Sequence, residues 1–253
     1  MARRAQHRVE DANVPLLGVM GAFVFAAQMI NFPVGIGTSG HLVGGALLAY
    51  SLGPASASLV MSAILIIQAL VFQDGGVLSL GANITNMALL GVLAGYLPLY
   101  LFGWRRISIF AGGVLSVLVS AVLALGELLI SGVRMPGSVL GISLALFLVS
   151  AVLEGAITLA VVQALEAMHP RFIRQPVLRP FGVRVLGGAA TLLAAVGVLF
   201  ASTAPDGIQR LTGYQPGPET VWLRKASAGL GGIVLVYGAC LLIGRVAARR
   251  RGA

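Results

Sequence analysis

Apolar residues run along this chain in long stretches, interrupted by short polar or basic turns. Eight such segments stand out, at about 14–31, 38–52, 54–72, 81–102, 107–130, 137–165, 183–203 and 226–247. A membrane span needs about 20 predominantly apolar residues, and most of these runs meet that length. The second is short and is broken from the third by Gly53-Pro54, a turn signal. Helices are the expected form, because lipid offers no partner to an open strand edge. The pattern predicts an all-α polytopic membrane protein of about eight transmembrane helices.

Composition supports the membrane reading. Of 253 residues, 58% are hydrophobic and only 10% charged, against roughly 25% charged in soluble domains. The 34 glycines suit helices that approach closely in lipid. The net charge of +9 suggests nucleic acid, but the basic residues sit in short loops between apolar runs. With both termini in the cytoplasm, thirteen basic residues fall inside and four (Arg134, Arg210, Arg224 and Lys225) outside. That is a positive-inside bias, so the expected topology is N-in/C-in. It places His41, the Gln73-Asp74-Gly75-Gly76 loop and the Ser202 to Thr220 loop at the outer face. Residues 169–184, with their arginines and prolines, read as a cytoplasmic linker between a six-span unit (1–168) and a two-span unit (185–253). Cys240 is the one cysteine, so the chain forms no internal disulfide.

The chemistry-bearing residues are few. A phosphate-binding loop needs Gly-Lys-Ser/Thr, and the single lysine, Lys225, follows Arg224; ATP hydrolysis by that route is excluded. No Ser/His/Asp set or zinc-type Cys/His cluster is present, so the chain reads as a non-enzyme. His7 and His169 sit in basic, water-facing stretches, which leaves His41 as the imidazole available to a site in the membrane domain. It lies in Thr38-Ser39-Gly40-His41-Leu42-Val43-Gly44-Gly45, and its bland reading is a cap or hydrogen-bond donor. Acids at depth are costly and usually functional. Glu127 lies near the outer end of its span and reads as reaching for the interface. Glu154, nearer the cytoplasmic end, is divided between structural pairing and subunit contact. Asn83 and Asn86 begin the fourth span and read as helix caps or as supports for a ligand histidine. Gly18, Ala22 and Ala26 form a small-residue stripe, either an association face or internal packing.

At this point the residues resemble a family. Val14-Pro15-Leu16-Leu17-Gly18, Ala22 to Met29, Asn31-Phe32-Pro33 and Thr38-Ser39-Gly40-His41-Leu42 are similar to CbiM/NikM, the substrate-binding components of energy-coupling factor cobalt and nickel transporters. Gln68-Ala69-Leu70, Asp74-Gly75-Gly76, Gly81-Ala82-Asn83 and Glu154-Gly155-Ala156-Ile157-Thr158 continue the resemblance in order, over residues 14 to about 165. Ser202-Thr203-Ala204-Pro205-Asp206-Gly207-Ile208 resembles the Pro-Asp-Gly-Leu-Glu signature of the CbiN/NikN accessory module, with Ile208 and Gln209 in place of Leu-Glu.

The resemblance implies a multi-pass protein of a prokaryotic cytoplasmic membrane that captures Co²⁺ or Ni²⁺ as transported substrate, without a cofactor. Its implied partners are a transmembrane T component, contacted through the stripe at Ala22 and Ala26, and separate ATPase subunits. In the family, the metal is held by the N-terminal amine, the backbone nitrogen and imidazole of a histidine at position two, and the histidine of Ser-Gly-His-Leu. The last is His41 here, with Asp74, Asn83 and Asn86 as candidate supports. All-nitrogen sites suit late divalent metals. The family opens with Met-His and an extra span, whereas this chain opens Met1-Ala2-Arg3-Arg4, and His7 lies on the wrong side to substitute. A start upstream of Met1 is the expectation; a separately encoded segment and a divergent member are the alternatives. The rival functions are a metal-free regulatory subunit and a stand-alone secondary cation transporter.

Overall fold

The structure is a computed structural model; it describes residues 14–30, 32–35, 38–72, 76–134, 136–168, 180–197 and 222–249. Among the described residues, eight helical elements follow one another, with one β-hairpin between the first two. They are α1 (Val14–Gln28), the strands β1 (Phe32–Gly35) and β2 (Thr38–Gly40), α2 (Gly45–Leu52) and α3 (Pro54–Ile67, extended by a π-helical Gln68–Phe72). Next come α4 (Leu80–Asn83, π-helical Ile84–Gly91, then Val92–Phe102), α5 (Arg106–Ile130) and α6 (Gly137–Met168). The last two are α7 (Pro180–Leu192, with π-helical Leu193–Gly197) and α8 (Trp222–Arg249).

Among the described residues, five helices are long and apolar enough to cross a membrane: Pro54–Phe72, Leu80–Phe102, Arg106–Ile130, Gly137–Met168 and Ser227–Val246. Two shorter apolar helices, Val14–Gln28 and Gly182–Ala195, accompany them. The segment expected as a span over 38–52 is not one. It divides into β2, a four-residue loop and the eight-residue α2, which at about 1.5 Å per residue covers less than half of a bilayer core. Glycine explains the break. Gly44 takes a left-handed φ of 76°, and a Cβ there would lie 2.5 Å from Val24 Cγ1, so the chain turns before α2 begins. A short antiparallel hairpin leads into this loop of the helical fold: Phe32 pairs with Gly40, Pro33 with Ser39 and Gly35 with Thr38.

α1 is the hub. It is apolar all round and buried along nearly its whole length, as expected for a helix enclosed by others. Its neighbours include α2, α3, α7 and α8. α6 shows the opposite pattern. Ala151, Glu154, Gly155, Thr158, Val162 and Leu165 form one buried stripe, while Leu148, Val152 and Leu153 stand exposed, an apolar outer face suited to lipid. Small residues bring the helices together. A Cβ on Gly113 of α5 would stand 2.6 Å from Gly155 Cα of α6, so the two backbones nearly touch. Tyr50 of α2 donates to the Gly95 carbonyl of α4 at 2.7 Å and stacks edge-on to Trp104, centroids 5.8 Å apart.

The stripe on α1 is taken up from within the chain. Gly18 lies under the Tyr237 ring, and Gly21 faces Cys240, Val236 and Val60; Ala22 and Ala26 are also buried. In this arrangement no part of the stripe is left open to a second protein. The expected linker at 169–184 lies mostly outside the described residues, as does the loop with Pro205-Asp206-Gly207.

The α1–α8 contact is testable through the native cysteine. A Cβ at position 21 would sit 3.0 Å from Cys240 Sγ, within reach of a disulfide. The Gly21→Cys variant, oxidised in membranes, is expected to lose both thiols and about 2 Da within one chain. Two persistent free thiols would show that α8 does not dock on α1 in this register. A second check concerns the α5–α6 crossing. Gly113→Val would force the two backbones apart at a cost of about 1–3 kcal/mol, read as a lowered thermal midpoint in detergent.

Candidate metal centre

His41 opens the four-residue loop between β2 and α2. The first turn of α2 fixes its depth: Gly45 packs against Ser116, near the middle of α5, where a Cβ would meet Ser116 Oγ at 2.7 Å. The loop therefore reaches mid-depth in the helical bundle rather than staying at the outer face, where His41 was expected. The cause is the short α2, which begins halfway down.

Irregular backbone enclosed among the helices needs a protein partner for each buried polar group. Glu154 supplies two. Its Oε2 accepts from the Val43 N–H at 2.8 Å and its Oε1 from the Gly44 N–H at 2.7 Å. The residue is 2% exposed. A carboxylate at the centre of a spanning helix costs about 2.5–3.5 kcal/mol on insertion scales. Two charge-assisted bonds at about 1.5–3 kcal/mol each offset that cost.

The Val43 carbonyl is held from the other side. Gln28, the last residue of α1, donates through Nε2 to the Val43 carbonyl at 2.7 Å, and the same Nε2 lies 3.6 Å from Met61 Sδ. Gln28 Oε1 accepts from Gln68 Nε2 at 2.9 Å. Both glutamines are buried, and an unpaired buried amide would cost about 1–3 kcal/mol. The glutamines thus complete each other and hold the loop.

His41 itself is half-buried, with Nδ1 2.9 Å from the Leu42 carbonyl oxygen. A carbonyl only accepts, so Nδ1 carries the proton in this geometry. The lone pair is then on Nε2, the nitrogen left to bind a cation. One imidazole nitrogen is the side-chain donor this loop offers. Among the described residues no group of three or more His, Cys, Asp and Glu gathers to enclose a metal ion.

The other sequence candidates fall in different places. Asp74 and His7 lie outside the described residues. Asn83 ends the first turn of α4, where its backbone N–H donates to the Ser79 carbonyl. Asn86 is buried and turns its amide to Glu127, Nδ2 to Oε2 at 2.9 Å; the Ser120 hydroxyl lies 2.9 Å from its backbone carbonyl. Asn86 and Glu127 thus pair with each other, and the Asn86 amide does not turn to His41. Glu154, divided in sequence between pairing and subunit contact, is a pairing residue whose partners are backbone amides. Gln28 and Gln68 were missed. Their signal was a lone amide in an otherwise apolar run, Ala26-Ala27-Gln28-Met29 and Ile66-Ile67-Gln68-Ala69.

Comparison with known proteins agrees with this architecture. Residues 1–172 match the CbiM family, described as the cobalt uptake substrate-specific transmembrane region. A protein of Archaeoglobus fulgidus named as a fused nickel transport protein, NikMN, is 38% identical over 226 residues, covering 85% of this chain and 70% of that protein. A protein of Haloquadratum walsbyi named as a metal transport protein is 40% identical over 177 residues, 68% of this chain and 80% of that one. Among solved structures, a truncated transition metal transporter superposes with a TM-score of 0.54 at 34% identity, over 66% of this chain and 87% of that chain. The relatives are transport proteins, and the described fold is that of a multi-pass membrane protein. With more than half of its length matched, the chain belongs to the CbiM family of cobalt uptake transmembrane proteins.

Proposed function

We propose that this chain is the substrate-capture component of an ATP-driven Co²⁺ or Ni²⁺ uptake transporter of the energy-coupling factor type, and that His41 Nε2 is one of its metal ligands. The observation that carries this reading is the His41 loop. It is held at mid-depth by Glu154 and Gln28, and the imidazole bonds its own backbone through Nδ1, which leaves Nε2 as a donor. An imidazole nitrogen suits cobalt and nickel. Asp74 is a candidate support. The ATPase work belongs to partner subunits, in keeping with a sequence that has no Gly-Lys-Ser/Thr loop. The C-terminal module, with α7 and α8 against α1, is the counterpart of the fused portion that the NikMN name describes in the A. fulgidus protein.

Two outcomes test this. His41→Ala is expected to abolish Co²⁺ and Ni²⁺ uptake by cells while the chain still inserts at wild-type level; undiminished uptake would remove His41 from the site. In proteoliposomes, uptake is expected only when the T component, the ATPase subunits and ATP are present. Metal accumulation by this chain alone, driven by an ion gradient, would instead identify a secondary transporter.

A further inference from the structure

The Leu42–Val43 peptide unit makes two bonds at once. Its carbonyl accepts from His41 Nδ1, and its N–H donates to Glu154 Oε2. A trans peptide is planar, with its C=O and N–H directed to opposite sides. Holding the N–H therefore fixes the direction of the carbonyl that the imidazole needs. The next unit is held in the same way: the Val43 carbonyl accepts from Gln28, and the Gly44 N–H donates to Glu154 Oε1. Two consecutive peptide planes beside His41 are thus locked, from α6 on one side and α1 on the other.

We infer that Glu154 is the positioning residue for His41, acting through the Leu42–Val43 peptide to hold the ring in its Nδ1–H tautomer with Nε2 free for the metal; Gln28, backed by Gln68, fixes the second plane. This rests on the proposed role of His41 as a ligand. Ligand histidines commonly give their second N–H to a carboxylate or a carbonyl, which sets the tautomer and raises the basicity of the ligating nitrogen. Here the two arrangements are joined in series. The carboxylate polarises the peptide, and the peptide carbonyl accepts from the ring, a chain in which each bond strengthens the next. Glu154 touches no metal in this scheme.

The alternative is a carboxylate that only satisfies the loop N–H groups. That role predicts lost stability on mutation with unchanged metal chemistry in the folded fraction. Glu154→Gln separates the two. The amide keeps the side-chain size but leaves one acceptor and sets its own N–H₂ against a backbone N–H. Glu154→Asp keeps the charge and both acceptors on a shorter stem.

The experiment uses the full chain purified in detergent, with Co²⁺ and Ni²⁺ titrations, the visible d–d spectrum of the Co²⁺-saturated protein, and hydrogen–deuterium exchange of the 41–44 backbone without metal. Glu154→Gln is expected to bind Co²⁺ about 10–100-fold more weakly, to shift the d–d bands at saturation, and to expose the Val43 or Gly44 amide to exchange. Glu154→Asp is expected to recover part of the affinity and the wild-type bands. His41→Ala is expected to lose metal binding yet keep both amides protected, which distinguishes the ligand from its support. Wild-type affinity and spectrum in folded Glu154→Gln would overturn the inference, as would unchanged amide protection. If Glu154→Gln does not fold, Gln28→Leu carries the test: about tenfold weaker binding supports the inference and unchanged affinity overturns it. If the purified wild-type chain binds neither metal, the uptake experiments with His41→Ala decide the proposed function. The exchange data then decide the clamp alone, for it if only Glu154→Gln exposes the amides and against it otherwise.

Discussion

One carboxylate bonded to two successive backbone N–H groups holds the centre of this protein together. Non-helical backbone is tolerated at membrane depth only where protein satisfies its polar groups. Residues 41–44 are such a segment, and Glu154 is the acceptor for two of their N–H groups. The dependence runs both ways, since the carboxylate is itself costly at that depth and finds its donors in the loop. Glu154 reaches the loop because α6 lies almost in backbone contact with α5 at Gly113 and Gly155. A larger residue at either glycine would move the carboxylate away from its donors.

α1 connects this centre to the C-terminal part of the chain. Its glycines admit α8, with Tyr237 over Gly18 and Cys240 beside Gly21. Its last residue, Gln28, holds the Val43 carbonyl. The helix has no polar face because both of its sides are buried, so its sequence reads as a span. Yet its 15 residues amount to about 22 Å at 1.5 Å per residue, short of a bilayer core of about 30 Å. Enclosure by other helices, more than contact with lipid, accounts for its apolarity.

What the sequence makes legible follows from what side chains encode. His41 is legible because an imidazole is rare in an apolar run, and the family resemblance rests on motifs in order along the chain. Glu154 is legible as a buried acid needing a partner, but the partner is backbone, which no residue type advertises. Gln28 and Gln68 are visible as isolated amides, yet nothing in the pattern links residues forty positions apart. The half-length α2 is misread as part of a span because apolar patterning is the same for a helix that crosses and one that starts midway. The glycines at 40, 44 and 45 are the residues that mark the break. The small-residue stripe at Gly18, Ala22 and Ala26 shows the same limit: spacing marks a contact face but not whether the partner is α8 or another protein.

The geometry at Val43 has one more consequence. Its N–H is held by a side chain of α6 and its carbonyl by a side chain of α1, so the residue spans the gap between the two helices. His41 lies two residues away and bonds to the adjoining peptide. The position of the imidazole is therefore a function of the α1–α6 spacing. A shift of either helix by an ångström or two breaks a bond of 2.7–2.8 Å, and the carbonyl that sets the tautomer of the ring is no longer held in place. The rigidity of the loop and its sensitivity to helix movement thus have a single origin, the suspension of one short segment of backbone between two helices.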